Sequence, residues 1–209
     1  MTKLFFGALA MLLAFPDPAS SHRLDEYLQA TRIAVARDRI VLEIDLTPGV
    51  TVAPTILSLI DQTGDNQVSA PEIEAYAQTV LRDLVLEVDG QPYQLTLARA
   101  ECPSWIEMRE GGGTIRLEAT AAARLGAAGR HRLLYENAHQ SGISAYLVNA
   151  LVPSSRAIAI TEQRRDMRQH VIHLDIDVAP PHAPSPWIIL QGVGLTALLV
   201  CRRRRRRAV

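Results

Sequence analysis

The stretch Asp61-Gln-Thr-Gly-Asp-Asn-Gln-Val-Ser-Ala-Pro-Glu72 is a polar turn between two apolar segments, and it decides how the fold is interpreted. At its end, Ser69 and Glu72 have the spacing of a capping box, in which the two residues satisfy the first free amides of a helix. Before it, Pro54 can open a short helix. After it, apolar residues recur at helical spacing: Ile73, Tyr76, Ala77, Val80, Leu81 and Leu84. A helix, a loop and a second helix are therefore predicted over residues 50–83.

The stretch resembles the calcium-binding loop of the EF-hand family, whose pattern is D-x-[DN]-x-[DN]-G-x5-E. Such a loop surrounds a calcium ion with oxygen atoms from several of its positions. The resemblance implies one Ca²⁺ ion bound by Asp61, Thr63, Asp65, the backbone carbonyl of Gln67, Ser69 through a water, and Glu72. Thr63 supplies a neutral hydroxyl in place of an acid or amide, and Asn66 replaces the glycine of the sharp turn. The expected affinity is therefore weak, about 10⁻⁴ to 10⁻³ M.

A second interpretation of the same stretch needs no metal. The loop would then be a polar turn before a capped helix, a structural remnant inside a β-sandwich. Under either interpretation, Val68 is the aliphatic residue expected to anchor the loop to the core. Most EF-hands occur in pairs, and the sequence contains no second loop of this kind.

Most of the remaining sequence alternates between apolar and polar residues, as half-buried strands do. Two strands are predicted at 31–37 and 40–46, and a hairpin around Asp89-Gly90 joins 84–88 to 93–97. Further strands are expected at 114–119, 130–135, 145–152, 158–161 and 171–178, with 145–152 apolar enough to be central. This pattern indicates a mainly β fold, an antiparallel, immunoglobulin-like β-sandwich over residues 22–179 with the helix-loop-helix inserted at one edge.

Residues 1–21 have the features of a secretory signal peptide: Lys3, an apolar run, and small residues before position 22. Cleavage there would make His22 the first residue, and an amino-terminal histidine can chelate copper through its amine and imidazole. An accessory domain for transition-metal handling is therefore a further hypothesis. Ordinary surface positions are expected for the other histidines: His131, His139, His170, His173 and His182.

The C-terminal region combines a proline-rich linker (180–186), an apolar segment (187–201) and a tail (202–209) with six arginines in a row. An apolar segment followed by arginines is a stop-transfer pattern, which predicts a single transmembrane helix, a cytoplasmic tail and an extracytoplasmic domain. The segment rises about 22 Å, less than the bilayer core of about 30 Å, so local thinning would have to close the gap. The alternatives are a buried soluble helix, a basic cluster that binds anionic lipid or nucleic acid, and a cleaved tail that resembles the sorting tails of bacterial surface proteins.

Net charge, cysteine content and the catalytic motifs that are missing limit the classes of function that the sequence supports. The formal net charge is zero, but the arginines at the C-terminus offset a mildly acidic body, which argues against nucleic acid and suits cation binding. Cys102 and Cys201 are the only cysteines and lie in different regions, so no internal disulfide is implied. The sequence contains no G-x-S-x-G elbow, H-E-x-x-H helix, Walker loop or dinucleotide fingerprint, and no enzyme activity is predicted.

A looser resemblance covers residues 22–178. His22-Arg-Leu-Asp-Glu-Tyr27, the strands that follow, the inserted loop and Tyr146-Leu-Val-Asn149 are similar to bacterial extracytoplasmic domains. Related domains precede membrane helices in some nickel/cobalt-transporter-like and hydrogenase-accessory-like proteins. The sequence has no polytopic region, so the resemblance does not imply transport. The function expected is a calcium-binding, membrane-anchored interaction module with an unknown protein partner.

Overall fold

Two five-stranded sheets and three helices make up the part of the chain that a computed structural model describes, residues 25–126 and 128–180. The strands are β1 (Tyr27–Val35), β2 (Ile40–Pro48), β3 (Leu84–Val88), β4 (Gln91–Pro92), β5 (Thr96–Glu101), β6 (Ile115–Ala121), β7 (Gly129–Asn137), β8 (Ser144–Ala150), β9 (Ile158–Arg165) and β10 (Val171–Val178). The helices are α1 (Ala53–Ile60), α2 (Ala70–Arg82) and α3 (Trp105–Arg109). The prediction of a mainly β fold is confirmed.

The strand order is β5-β6-β2-β1-β8 in the first sheet and β4-β3-β7-β10-β9 in the second. Neighbouring strands are antiparallel except β1 and β8, which run parallel from the pair Tyr27 and Ser144 to the pair Ile33 and Ala150. The expectation of a wholly antiparallel fold is therefore wrong for this pair. The expectation that 145–152 forms a central strand is also wrong, because β8 lies at the edge of its sheet.

The core lies between the two sheets. Alternate residues of β1 and β2 are buried along their whole length, which is the period that half-buried strands impose. Inward side chains from both sheets and from the helices form a single buried cluster. Its largest fully buried members are Tyr27, Tyr135, Ile33, Ile40, Leu42, Ile44, Leu46, Ile56, Ile60, Leu86, Met108 and Ile115.

The predicted turn at Asp89-Gly90 is present, but one of its strands differs from the prediction. Asp89 and Gly90 have φ values of 53° and 75°, as a tight hairpin turn requires. The strand after the turn is β4, only two residues long. The chain then crosses to the first sheet, where β5 pairs with β6. The prediction of a strand over 93–97 that pairs with 84–88 is therefore wrong, because residues 93–95 lie in no strand and β5 begins only at Thr96.

Helices α1 and α2 lie between β2 and β3, as the sequence predicts. Pro54 occupies the first turn of α1, where its missing amide proton costs nothing. The buried face of α2 is the predicted one, with Ile73, Tyr76, Ala77, Val80 and Leu81 turned inward. α2 packs on β5, and α1 packs on both α2 and α3. The insertion therefore shares the core of the sandwich.

Within residues 25–126 and 128–180, no helix is long and apolar enough to cross a membrane. The longest of them, α2, has 13 residues and rises about 20 Å, against a bilayer core of about 30 Å. This finding contradicts the predicted single-pass membrane protein. The predicted signal peptide (1–21), the segment predicted to span the membrane (187–201) and the predicted cytoplasmic tail (202–209) lie outside the described residues.

Candidate functional site

The loop between α1 and α2 is organised around the carboxylate of Asp61. It accepts hydrogen bonds from the backbone amides of Gly64 (2.7 Å), Asp65 (3.2 Å) and Asn66 (2.9 Å). Asn66 has a φ of 59°, so the asparagine adopts the left-handed conformation required at the sharp turn, which asparagine tolerates better than most residues. The side chain of one residue thus sets the path of the first half of the loop.

The carboxylate of Glu72 closes the second half of the loop. One oxygen accepts hydrogen bonds from the amide and hydroxyl of Ser69, at 2.9 and 2.7 Å. The other accepts from the amide and hydroxyl of Thr63, at 3.1 and 3.0 Å. The bonds from Ser69, and then that from the Thr63 amide, lower the pKa of Glu72 to about 2. The predicted capping box is confirmed, and its glutamate also ties the start of the loop to its end.

The remaining predicted ligands make local contacts. Asp65 accepts a hydrogen bond from the amide of Gln67 at 2.9 Å, and the hydroxyl of Thr63 reaches Asp61 at 3.3 Å. Val68 is partly buried against the core, as expected of the anchoring position. The side-chain oxygens of the loop are therefore engaged with the loop's own donors.

These residues do not fit a metal ion in this structure. In the described parts of the chain, no group of three or more His, Cys, Asp or Glu side chains could hold a metal. Asp61, Asp65 and Glu72 are accordingly not gathered around one point. For the described residues the prediction of a metal-binding group is therefore contradicted, and the three carboxylates instead accept hydrogen bonds from the loop's own amides and hydroxyls. His22, on which the transition-metal hypothesis rested, lies outside the described residues.

A cleft of about 340 Å³ opens between the loop, α1 and α3. Pro54 and Leu57 of α1 give it an apolar wall, and Trp105 of α3 lies across from them. The guanidinium of Arg109 lies 4.9 Å from the centre of the indole of Trp105, within the range of a cation–π contact. The cleft is further lined by Ser58, Asp61, Gly64 and Asn66.

Helix α3 was not predicted from the sequence, although its start carries a recognisable signal. The carboxylate of Glu107 accepts hydrogen bonds from the amide and the hydroxyl of Ser104, at 2.9 and 2.8 Å. This is a second capping box, with the same spacing as the one at Ser69. The helix is five residues long, too short for helical periodicity to show. Ser104-x-x-Glu107 was the signal that could have located it.

The loop beside the cleft is acidic, whereas the lining of the cleft itself has one residue of each charge, Asp61 and Arg109. Residues 61–74 contain four carboxylates and no lysine or arginine. Glu107 and Glu110 flank Arg109 on α3 and its C-terminal cap. The loop segment therefore attracts cationic groups and repels anionic ones.

A second group of polar side chains lies buried where α2 meets both sheets, and its centre is His139. The ring is 1% exposed; Nδ1 lies 2.7 Å from a carboxylate oxygen of Asp83, and Nε2 lies 3.1 Å from the hydroxyl of Tyr76. The Tyr76 hydroxyl lies 2.8 Å from that of Tyr27. The expectation that His139 is an ordinary surface residue is therefore wrong. Its two ring partners lie 56 and 63 residues away in sequence, so no local pattern pointed to it.

Cys102 lies half-buried beside this group. Burial raises the pKa of its thiol to about 11, so the thiol stays protonated at neutral pH and is a poor nucleophile.

Comparison with known proteins adds no assignment. No family model matches the sequence, and no curated protein matches it.

Proposed function

We propose that the described residues form an interaction module, which presents the cleft beside Trp105 to a partner protein. The observation that supports this function is the combination of a partly buried indole, an apolar wall and the carboxylate of Asp61 in one open cleft. Tryptophan and arginine are enriched among the residues that dominate binding energy at protein interfaces. Here the two side chains are held together as a pair, so little side-chain entropy remains to be lost on binding.

We further propose that the insertion has the form of an EF-hand and that the sandwich is immunoglobulin-like. The amide bonds to Asp61 and the left-handed Asn66 support the first statement. In this proposal the loop acts through its own hydrogen bonds. It fixes α1 relative to α2 and so shapes one wall of the cleft.

The chemistry of the cleft defines its partner. A large apolar side chain would pack against Trp105 and Leu57, and a lysine or arginine beside it would face the carboxylate of Asp61. We therefore propose a peptide segment of a partner protein that carries an apolar anchor next to basic residues. Such binding should weaken with salt, because charges at the rim are exposed and screened.

A purely structural sandwich with a vestigial loop is the second candidate. It is favoured by one observation: the carboxylates of Asp61 and Glu72 are fully occupied by bonds inside the loop. Under this candidate the cleft has no partner.

Panning of a random peptide library displayed on phage against the full chain separates the two candidates. The interaction module predicts enrichment of peptides with a basic residue beside a large apolar one. Their binding should be lost in Trp105→Ala, and also in Ser58→Arg, which fills the cleft from the exposed face of α1 with a like charge. The matched control, Gln78→Arg on the exposed face of α2, should bind as the wild type does. Lack of enrichment, or peptides that bind Ser58→Arg equally well, would favour the structural sandwich.

A further inference from the structure

The loop that contains His139 is the point where α2 is tied to the sandwich. The backbone carbonyl of His139 accepts hydrogen bonds from the side-chain amide of Gln29 and the hydroxyl of Tyr146, both at 2.8 Å. Its amide donates to Asn137 at 2.9 Å, and Asn137 in turn donates to Gln29. The backbone of this residue is therefore held by β1, β7 and β8, while its ring is directed at α2.

The hydrogen bonds of the ring form a chain with one direction. Nδ1 faces a carboxylate, so it carries the proton and donates to Asp83. Nε2 of the neutral ring is then an acceptor, which makes Tyr76 the donor to it. The oxygen of Tyr76 accepts in turn from the hydroxyl of Tyr27. With a neutral imidazole, every donor in this chain has an acceptor.

A second proton on the ring reverses this chain. Nε2 becomes a donor to Tyr76, whose own proton must then point to Tyr27. Tyr27 is 0% exposed, and Tyr76 is the one hydrogen-bond partner that the described residues give to its hydroxyl. The proton of Tyr27 is therefore left without an acceptor in the core, which carries the penalty of an unsatisfied buried donor.

We propose that His139 is an acid-sensitive latch, which holds α2 and its loop on the sandwich while the imidazole is neutral and loosens them when it is protonated. The bonds that tie α2 to the ring are those of Tyr76 and Asp83, near the middle and at the end of the helix. Loosening them frees the helix that forms one side of the insertion. This function is independent of the cleft and its partner.

Several groups face the latch from the elements packed around it. The carboxylate of Asp83 favours the protonated ring. The buried hydroxyls of Tyr76 and Tyr27 disfavour it, because protonation of the ring leaves the Tyr27 hydroxyl proton without an acceptor. The other titratable or charged groups nearby are the thiol of Cys102, the hydroxyl of Tyr146, and beyond it His170 and Arg168. Asp83 is half-exposed, so its attraction is screened by solvent.

The balance of these influences gives the direction of the pH effect. Burial lowers the pKa of His139, and the nearby carboxylate of Asp83 opposes that shift in part. The folded state therefore binds fewer protons than the unfolded state below the ordinary histidine pKa of about 6.5. The contribution of the latch is complete above that pH and is lost as the pH falls toward the pKa of the folded state.

Hydrogen exchange measured on the full chain between about pH 7.5 and pH 5 tests the latch. After correction for the intrinsic pH dependence of exchange, the amides of α2 should lose protection relative to those of β2 and β10. In the same sample, the midpoint of that loss should coincide with the titration of the His139 ring followed by NMR. Parallel behaviour of α2 and the strands, or a midpoint that does not follow the ring, would overturn the proposal.

Three variants sharpen the test. His139→Gln, which cannot titrate, should abolish the pH dependence of α2. Asp83→Asn removes the charge that favours the protonated ring and should move the midpoint down by about one pH unit. His173→Gln, on the exposed side of β10, is the matched control and should leave the midpoint unchanged. If His139→Gln does not fold, Asp83→Asn decides: a midpoint that stays in place or rises overturns the latch.

Discussion

Glu72 and Ser69 bind each other across the first turn of α2, since one carboxylate oxygen of Glu72 accepts from both the amide and the hydroxyl of Ser69. The other oxygen accepts from Thr63 at the opposite side of the loop. One side chain thus caps a helix and closes a loop. The two tasks together require two acceptor oxygens on one side chain, and only a carboxylate offers them.

Replacement of Glu72 by glutamine tests this double role. Glutamine keeps one oxygen and presents amide protons on the other side, so either Ser69 or Thr63 loses its acceptor. In the presence of a chelator, Glu72→Gln should melt at a lower temperature than the wild type. Glu74→Gln, on the exposed side of α2, should melt as the wild type does. If Glu72→Gln differs from the wild type only when calcium is present, the carboxylate acts as a metal ligand and not as a cap.

The effect of Glu72→Gln should depend on pH. The pKa of Glu72 in the folded state is about 2, below its value of about 4.3 in an unfolded chain. Its contribution to stability is therefore present above the unfolded pKa and is lost as pH falls toward the folded one. The difference in melting temperature between the wild type and Glu72→Gln should be constant near neutral pH and shrink below about pH 4.3. A difference that grows on acidification would contradict this assignment.

Several elements of this fold could be predicted from short-range sequence patterns. The capping box at Ser69, the turn at Asp89-Gly90 and the alternation of β1 and β2 each depend on residues a few positions apart. Contacts within such a short stretch are fixed by local geometry, so their pattern is visible in the sequence. The helix-loop-helix insertion followed from signals of this kind.

Features that depend on distant partners could not be predicted in the same way. The parallel pairing of β8 with β1, and the crossing of β5 to the first sheet, are choices among strands with equivalent alternation. The burial of His139 depends on Asp83 and Tyr76, both more than 50 residues away. The carboxylates of the loop were assigned to a metal because their spacing matched a pattern. The spacing does not reveal that the loop's own amides take up these oxygens.

The hydroxyls of Thr31 and Tyr135 form a hydrogen bond of 2.9 Å in the core between β1 and β7. Thr31 is 3% exposed and Tyr135 is 0% exposed. Tyr135→Phe leaves the hydroxyl of Thr31 without this partner and should cost about 1–3 kcal/mol in the free energy of unfolding, measured in urea. The double variant with Thr31→Val should cost less than the sum of the single changes, because both polar groups are then gone.

The control is Tyr93→Phe, at a partly buried tyrosine, and should stay within about 0.5 kcal/mol of the wild type. Strictly additive costs would mean that the two hydroxyls do not interact.

Arg165, at the end of β9, joins the edges of the two sheets. Its guanidinium donates to the carbonyl of Val148 at 2.6 Å and to the side chain of Asn149 at 2.8 Å, both on β8. Lysine keeps the charge but lacks the planar fork that makes both bonds. Arg165→Lys should therefore lower the free energy of unfolding by about 1 kcal/mol. Arg124→Lys, at an exposed loop position, is the control and should have no effect. Equal stability of the two variants would show that the link between the edges contributes nothing.

Gly111, just after α3, is required for two separate reasons, and a pair of variants can separate them. Its φ is +74°, and a Cβ placed there would lie 2.5 Å from a methyl carbon of Val50 and 3.2 Å from the Val50 amide nitrogen. Gly90 has nearly the same φ, +75°, but nothing lies within 4 Å of a Cβ added there. Gly90→Ala should therefore cost only the backbone strain of about 1–2 kcal/mol.

Gly111→Ala should cost more than Gly90→Ala in the free energy of unfolding, because the backbone of Val50 cannot move away as a flexible side chain would. The excess measures the close contact between the end of α3 and the segment before α1. Since these two helices form opposite walls of the cleft, Gly111→Ala should also weaken the binding of peptides selected on the wild type, whereas Gly90→Ala should not. Equal losses of stability in the two variants would show that Val50 moves aside freely and that the contact does not define the spacing of the walls.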